Sequence, residues 1–276
     1  MRGWKLFQRN KGAMAGLVTL SLLVIVAATG RFIVPYDPLK PDMSALMSPP
    51  SARHLMGTDQ IGRDLLSRII VGAPYSLQTA LIATLVAAVI GIPLGLLAGY
   101  FGGWTGQVID LLTDAMLAFP GIIMAMTLVA ALGPGFTNAM IALGISFSPV
   151  YTRLVRGQVL SIKQTPYVES ALVVGCSSLR ILWRYVLPNT MAPLIVLSSM
   201  SVAGAIMAGA GLSYLGLGAQ PPIPEWGALM NAGIWFLSNA PWVTLFPGLA
   251  IMITTLAANL VGDGLRDALD PRLRIG

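Results

Sequence analysis

The sequence predicts an all-α membrane protein with about six transmembrane helices. Three observations carry that expectation. Of the 276 residues, 55% are hydrophobic and only 10% are charged, against about 25% charged in an ordinary soluble domain. The mean hydropathy is +0.77. The few charges also leave long gaps, from Lys11 to Arg31, Arg68 to Asp110, Asp114 to Arg153, Arg184 to Glu225 and Glu225 to Asp263. A bilayer-spanning helix needs about 20 apolar residues. A charge at mid-span costs about 2.5–3.5 kcal/mol. Each gap is therefore a candidate crossing.

Taken in order, the first span is expected near Ala13–Val34 and the second near Tyr75–Tyr100. The third is expected near Thr113–Leu132 and the fourth near Phe136–Thr152. The fifth falls near Met191–Leu215 and the sixth near Trp242–Val261. The third and fourth share one charge-free run. They are divided at Gly133-Pro134-Gly135, because Gly and Pro together favour a turn over a continued helix. The first segment has the basic start of a signal peptide (Arg2, Lys5, Arg9, Lys11). Its apolar run exceeds the roughly 7–15 residues of a signal core, which favours an uncleaved helix. The resulting plan is a tail at 1–12, a first helix at 13–34, an external loop at 35–74, a five-helix core at 75–262 that includes a loop at 153–189, and a tail at 263–276.

Lys and Arg set the orientation. The N-terminal tail holds four. The loop between the fourth and fifth spans holds five: Arg153, Arg156, Lys163, Arg180 and Arg184. The C-terminal tail holds Arg266, Arg272 and Arg274. Six spans put these three segments on one side. The other side holds Arg31, Lys40, Arg53, Arg63 and Arg68, with none around Glu225. Positive charge marks the cytoplasm, so both termini and the 153–189 loop are expected inside. The segment from Pro35 to Arg68 is then outside. Gly57-Thr58-Asp59 and Gly62-Arg63-Asp64 read there as tight turns and helix caps. The net charge of +6 is not gathered into an aromatic-laced basic patch, so no nucleic-acid partner is expected. Cys176 is the only cysteine and His54 the only histidine, so neither an internal disulfide nor a Cys- or His-based metal site is expected. His54 reads as an ordinary loop residue.

The 153–189 loop is the most informative stretch. Pro166 suits a first helical turn, Gly175 falls where a left-handed cap is expected, and Ser177 can cap a second short helix. Pro188 then lies near the start of the fifth span. The stretch runs Glu169-Ser170-Ala171, three residues, Gly175, then Leu187-Pro188. It resembles the cytoplasmic loop of the inner-membrane permease subunits of bacterial ABC importers, which carry Glu-Ala-Ala, three residues, Gly, and a later Leu-Pro. Ser170 replaces the first Ala, and Tyr185 stands where an apolar residue is usual. The resemblance covers nearly the whole chain and points to the dipeptide, oligopeptide and nickel permease branch, in its C-type subunit. Pro35-Tyr36-Asp37-Pro38, Ser213-Tyr214-Leu215-Gly216, Glu225-Trp226-Gly227, Asn259-Leu260-Val261-Gly262-Asp263 and Leu269-Asp270-Pro271-Arg272 are similar to that branch in order and spacing.

The resemblance implies a type I ABC importer transmembrane-domain fold and a place in the bacterial inner membrane. It implies that Glu169, Ser170, Ala171, Gly175, Leu187 and Pro188 couple the chain to an ATPase. Glu225, Trp226 and Gly227 become candidates for an external gate or a binding-protein contact, with interfacial anchoring of Trp226 and Trp235 as the alternative. The implied partners are a homologous second permease, two ATPase subunits and an external solute-binding protein. ATP and Mg belong to the ATPases, with no cofactor in this chain. The implied solutes are dipeptides, oligopeptides, nickel complexes, glutathione or opine-like compounds.

Two other classes compete. An ion-coupled secondary transporter needs ionisable groups within the membrane. Asp114, one turn from Asp110 on the same helix face, is the only candidate. An intramembrane enzyme needs a nucleophile with its base, paired mid-span carboxylates or a metal cluster, and none is legible. No Gly-rich loop ending in Lys-Ser or Lys-Thr is present either, so ATP chemistry must come from a partner. Gly204, Ala208 and Gly211 read as a helix-packing stripe, with lining of a translocation path as the alternative.

Overall fold

The computed structural model describes residues 2–269. The expected residues Arg272 and Arg274, and the run Asp270-Pro271-Arg272, lie outside them. Among the described residues every regular element is helical, apart from one isolated bridge between Thr58 and Asp64. A short α1 (Arg2–Arg9) occupies most of the expected N-terminal tail and is followed by α2 (Lys11–Ile33). Asn10 separates them and caps α2, accepting from Ala13 N at 3.1 Å. Next come α3 (Leu65–Phe101), α4 (Gly103–Leu117), α5 (Gly121–Leu132) and α6 (Phe136–Ile162). The chain ends with α7 (Pro166–Val173), α8 (Ser178–Ile181), α9 (Leu187–Tyr214), α10 (Trp226–Ile234) and α11 (Trp242–Leu269).

Several expected spans have different limits, for physical reasons. α3 starts at Leu65, so residues 65–74 of the expected external loop are helical. Asp64 caps it, accepting from Ser67 N at 2.8 Å. Arg68, which marked the loop on the sequence, is buried and donates to Pro38 O at 3.1 Å. At 37 residues, α3 is about 55 Å long at 1.5 Å per residue, more than the roughly 40–45 Å bilayer. α6 likewise runs ten residues past Thr152 to Ile162. Its Arg156 pairs with Asp110 at 2.7 Å, and its Arg153 pairs with Asp114. Both arginines sit in regular helix beyond the apolar stretch.

The expected third span is broken. α4 and α5 meet at 97° across Ala118-Phe119-Pro120. Proline lacks the N–H a helix needs and restricts the residue before it. Twelve residues of α5 rise only about 18 Å, short of the roughly 30 Å hydrocarbon core. Among the described residues four helical stretches are long and apolar enough to cross a membrane, or five if the bent pair is one span. α6, at the fourth expected span, falls outside that group although it has 27 residues. Its Ser146, Ser148, Tyr151 and Thr152 are buried against neighbouring helices, and a helix shielded from lipid needs less apolar surface.

α3 and α6 form the centre. Gly91, Gly95 and Gly99 repeat every fourth residue along α3 and face α6. A Cβ at each would lie 2.5, 2.6 and 2.7 Å from Ser148 O, Thr152 O and Val159 Cβ. Such small-residue seams let helices approach where no hydrophobic force drives them together. The packing stripe expected at Gly204 and Gly211 is not one: a Cβ at either meets nothing within 4 Å. α2 packs on α11 through Gly16, where a Cβ would lie 2.6 Å from Ala257 O. The N-terminal helix is thus fastened to the last one.

Candidate functional site

The turn from Thr165 to Ser177 is built from local rules. Thr165 lies at the N-cap of α7 in extended conformation, and Pro166 takes the first helical turn. Glu169 sits in that first turn, where a carboxylate meets the positive end of the helix dipole. Its side chain is exposed, as is that of Ser170, whose Oγ donates to Pro166 O at 2.8 Å. Ala171 faces the other way and is buried with Val168. These two anchor α7 to a core cluster that contains Tyr151, Val155, Ile181 and Val186.

Gly175 closes α7 at φ +79°. Gly175 N donates to Leu172 O and Cys176 N to Ala171 O, both at 3.0 Å. This pair of bonds is a Schellman cap. Ser177 caps α8, its Oγ accepting from Arg180 N at 3.4 Å. The second short helix is not separate from the fifth span, contrary to expectation. α8 continues through a π-turn at Leu182–Val186 into α9, giving one helical stretch from Ser178 to Tyr214. Pro188 supplies the reason. Its ring would clash with the carbonyl of Arg184 in a regular helix, and the wider π-turn lets the helix pass it. Leu187-Pro188 therefore lies in helix, and a force applied at α8 acts on a rod continuous with α9.

The far side of the turn is uncovered. Val173 is 88% exposed and Val174 77%, and Leu179 and Trp183 are exposed beside them. Cys176 is half-buried between α7 and α8.

The second candidate set lies at the other end of the bundle, on the side of the α9–α10 connection. Glu225 is 2% exposed and Trp226 1%. In this conformation neither offers a surface to a binding protein, and Trp226 is not a lipid-interface anchor. Trp235 is exposed and free to act as one. Glu225 caps α10, accepting from Ala228 N at 3.1 Å and from Ser76 Oγ at 3.1 Å. Burial pushes its carboxyl above the ordinary value. Hydrogen bonds from Gly227 N, Ser213, Ala228 N and Ser76 act against that push. Trp226 Nε1 donates to Ile69 O at 3.0 Å. A Cβ on Gly227 would overlap the Ala210 carbonyl. Glu225, Trp226 and Gly227 thus clasp α10 to α3 and α9. Ser76 and Ser213 complete the clasp; Ser213 opens one of the stretches that carry the resemblance, whereas the sequence held no local sign of Ser76.

His54 is not a plain loop residue. It is buried, with Nδ1 2.9 Å from Asp64 Oδ1 and its ring 4.8 Å from that of Tyr36. Among the described residues no group of three or more His, Cys, Asp or Glu could hold a metal ion.

The family described as "Binding-protein-dependent transport system inner membrane component" matches residues 91–275. The chain belongs to that family. A second family, "N-terminal TM domain of oligopeptide transport permease C", matches residues 2–50 of the permease. The permease is 46% identical over 272 residues to the glutathione transport system permease protein GsiD of Shigella flexneri, covering 98% of this chain and 90% of that protein. It is 45% identical over 277 residues to the di/tripeptide transport system permease protein DppC of Pseudomonas aeruginosa, covering 98% and 91%. Its fold is that of a type I ABC importer membrane subunit. It resembles a chain of the inward-facing MetNI methionine ABC transporter with a TM-score of 0.61 at 18% identity, over 75% of this chain and 98% of that one. A chain of an amino acid ABC transporter aligns with a TM-score of 0.57 at 13% identity, over 73% and 94%. The permease is a multi-pass inner-membrane protein and the non-catalytic membrane subunit of an ABC importer, whose ATP is hydrolysed by partner ATPases. It is not an ion-coupled secondary transporter.

Proposed function

We propose that the permease forms half of the import pathway for glutathione or for di- and tripeptides. ATP hydrolysis on a partner drives it through the turn from Pro166 to Pro188. The observation that carries the coupling role is the exposed apolar and acidic face of α7. Glu169, Ser170, Val173 and Val174 project from a short helix whose opposite side, Val168 and Ala171, is bolted into the core. Exposed hydrophobic patches on such rigid knobs mark protein contacts. The knob is backed by the rod from α8 through α9. The solute class is supported by the near full-length similarity to permeases of those two kinds.

The assembly is two homologous permeases, two ATPases and an external solute-binding protein, with Mg and ATP on the ATPases. Both termini and α7 face the cytoplasm in this reading, which the excess of Lys and Arg on their side supports. That orientation is testable on the native chain, because Cys176 is its only thiol. A membrane-impermeant maleimide is expected to label Cys176 in inverted vesicles stripped of ATPase and not in intact spheroplasts. Labelling of spheroplasts would reverse the topology.

Reconstitution in proteoliposomes tests the function. With the partner permease, ATPases and binding protein, uptake of glutathione or of a dipeptide is expected to require ATP. The chain alone is expected neither to hydrolyse ATP nor to accumulate solute on an ion gradient. ATP-independent uptake by the chain alone would contradict the proposal.

A further inference from the structure

A groove of about 550 Å³ opens between α6, α9 and α11. It lies at the end of the bundle where α8 runs into α9, since Asn189 on its rim directly follows Leu187-Pro188. Polarity is graded along its length. Gln158, Asn189 and Arg266 line the coupling end. Val150, Leu154, Val196 and Met200 line the deeper walls. The three helices order these residues consistently: α6 reaches the coupling end at Gln158, α9 leaves it at Asn189, and α11 arrives at Arg266.

We propose that this groove binds one anionic phospholipid of the cytoplasmic leaflet, its phosphate on Arg266 with Gln158 and Asn189 and an acyl chain between α6 and α9. Depth favours a lipid over a helix of another subunit. From Asn189 to Met200 a helix rises about 16 Å, close to half of the roughly 30 Å hydrocarbon core. That is one leaflet, whereas a packed transmembrane helix would need a seam of full membrane depth. Charge also favours it. The cytoplasmic leaflet carries the anionic lipids, and basic pockets between helices on that side hold their head groups. The apolar walls do not suit a zwitterionic peptide, which would leave its charges unpaired. The proposal rests on reading the coupling end as cytoplasmic.

The test is native mass spectrometry of the purified, delipidated full chain given phosphatidylglycerol or phosphatidylcholine with the same acyl chains. The wild-type chain is expected to retain phosphatidylglycerol about fivefold better, the weight of one basic side chain at an anionic surface. Arg266 is exposed, so Arg266→Gln leaves the fold intact and is expected to erase the preference while lipid still binds. Val196→Trp fills the groove and is expected to reduce retention of both lipids. An unchanged preference in Arg266→Gln would overturn the proposal. So would a photo-crosslinker replacing Val196 that, in membranes holding the whole transporter, captures a polypeptide and no lipid. Labelling of Cys176 from outside would remove the leaflet assignment alone, because the lipid preference is read on purified protein.

Discussion

Gly175→Val is expected to abolish uptake while leaving the permease in the membrane at its normal level. A Cβ at position 175 meets nothing within 4 Å, so the substitution removes no contact and creates no clash with a neighbour. Its effect is confined to the backbone. Gly175 holds φ +79°, a region that costs an L-residue about 1–2 kcal/mol and a β-branched one more. Strain of that size is enough to open the Schellman cap, and α7 then loses its fixed angle to α8. Asparagine tolerates the left-handed region, so Gly175→Asn is expected to keep most of the transport. Glu169→Lys inverts the charge on the exposed face without touching the buried side of α7, and is expected to be as inactive as the valine variant. Uptake and membrane abundance, measured together in the reconstituted or cellular transporter, check all three. Full uptake by both Gly175→Val and Glu169→Lys would refute the coupling role.

Trp226→Ala is expected to be the most destabilising single substitution at the α10 clasp. The ring is 1% exposed, packs with Leu65, Ile69 and Ala73, and donates to Ile69 O. Truncating a buried tryptophan costs about 3–5 kcal/mol, a large share of the roughly 5–15 kcal/mol by which domains are stable. Trp226→Phe keeps most of the volume and loses the hydrogen bond, for about 1 kcal/mol. Gly227→Val has nowhere to put its side chain against Ala210 and should displace α10 from α9. The folded fraction after heating in detergent, followed by size-exclusion chromatography, is expected to rank wild type above Trp226→Phe above Trp226→Ala. If Trp226→Ala were as heat-stable as wild type yet lost binding-protein docking, the residue would be an outer contact and the clasp would be wrong.

Features that depend on a few neighbouring residues, or on the bilayer as solvent, were legible in the order of residues alone. Low charge and long apolar gaps identify a membrane bundle because lipid penalises every unpaired polar group. Pro166, Gly175 and Ser177 each act within one helical turn, so the turn between α7 and α8 was legible down to its backbone angle. Gly133-Pro134-Gly135 was legible for the same reason: α5 ends at Gly133 as its C-cap and α6 begins after Gly135 as its N-cap.

Where helices outrun their charges, and which polar groups go inside, depended on packing between distant segments. Arg68 and Arg153 looked like span limits, because their partners Pro38 and Asp114 are dozens of residues away. The π-turn before Pro188 could not be read from a proline that suits a helix start equally well. Glu225 and Trp226 looked like outward-facing loop residues. Their partners Ser76 and Ile69 lie 149 and 157 positions away. A carboxylate in a short apolar segment is exposed unless something distant satisfies it, and that distant group becomes visible only when α3, α9 and α10 pack.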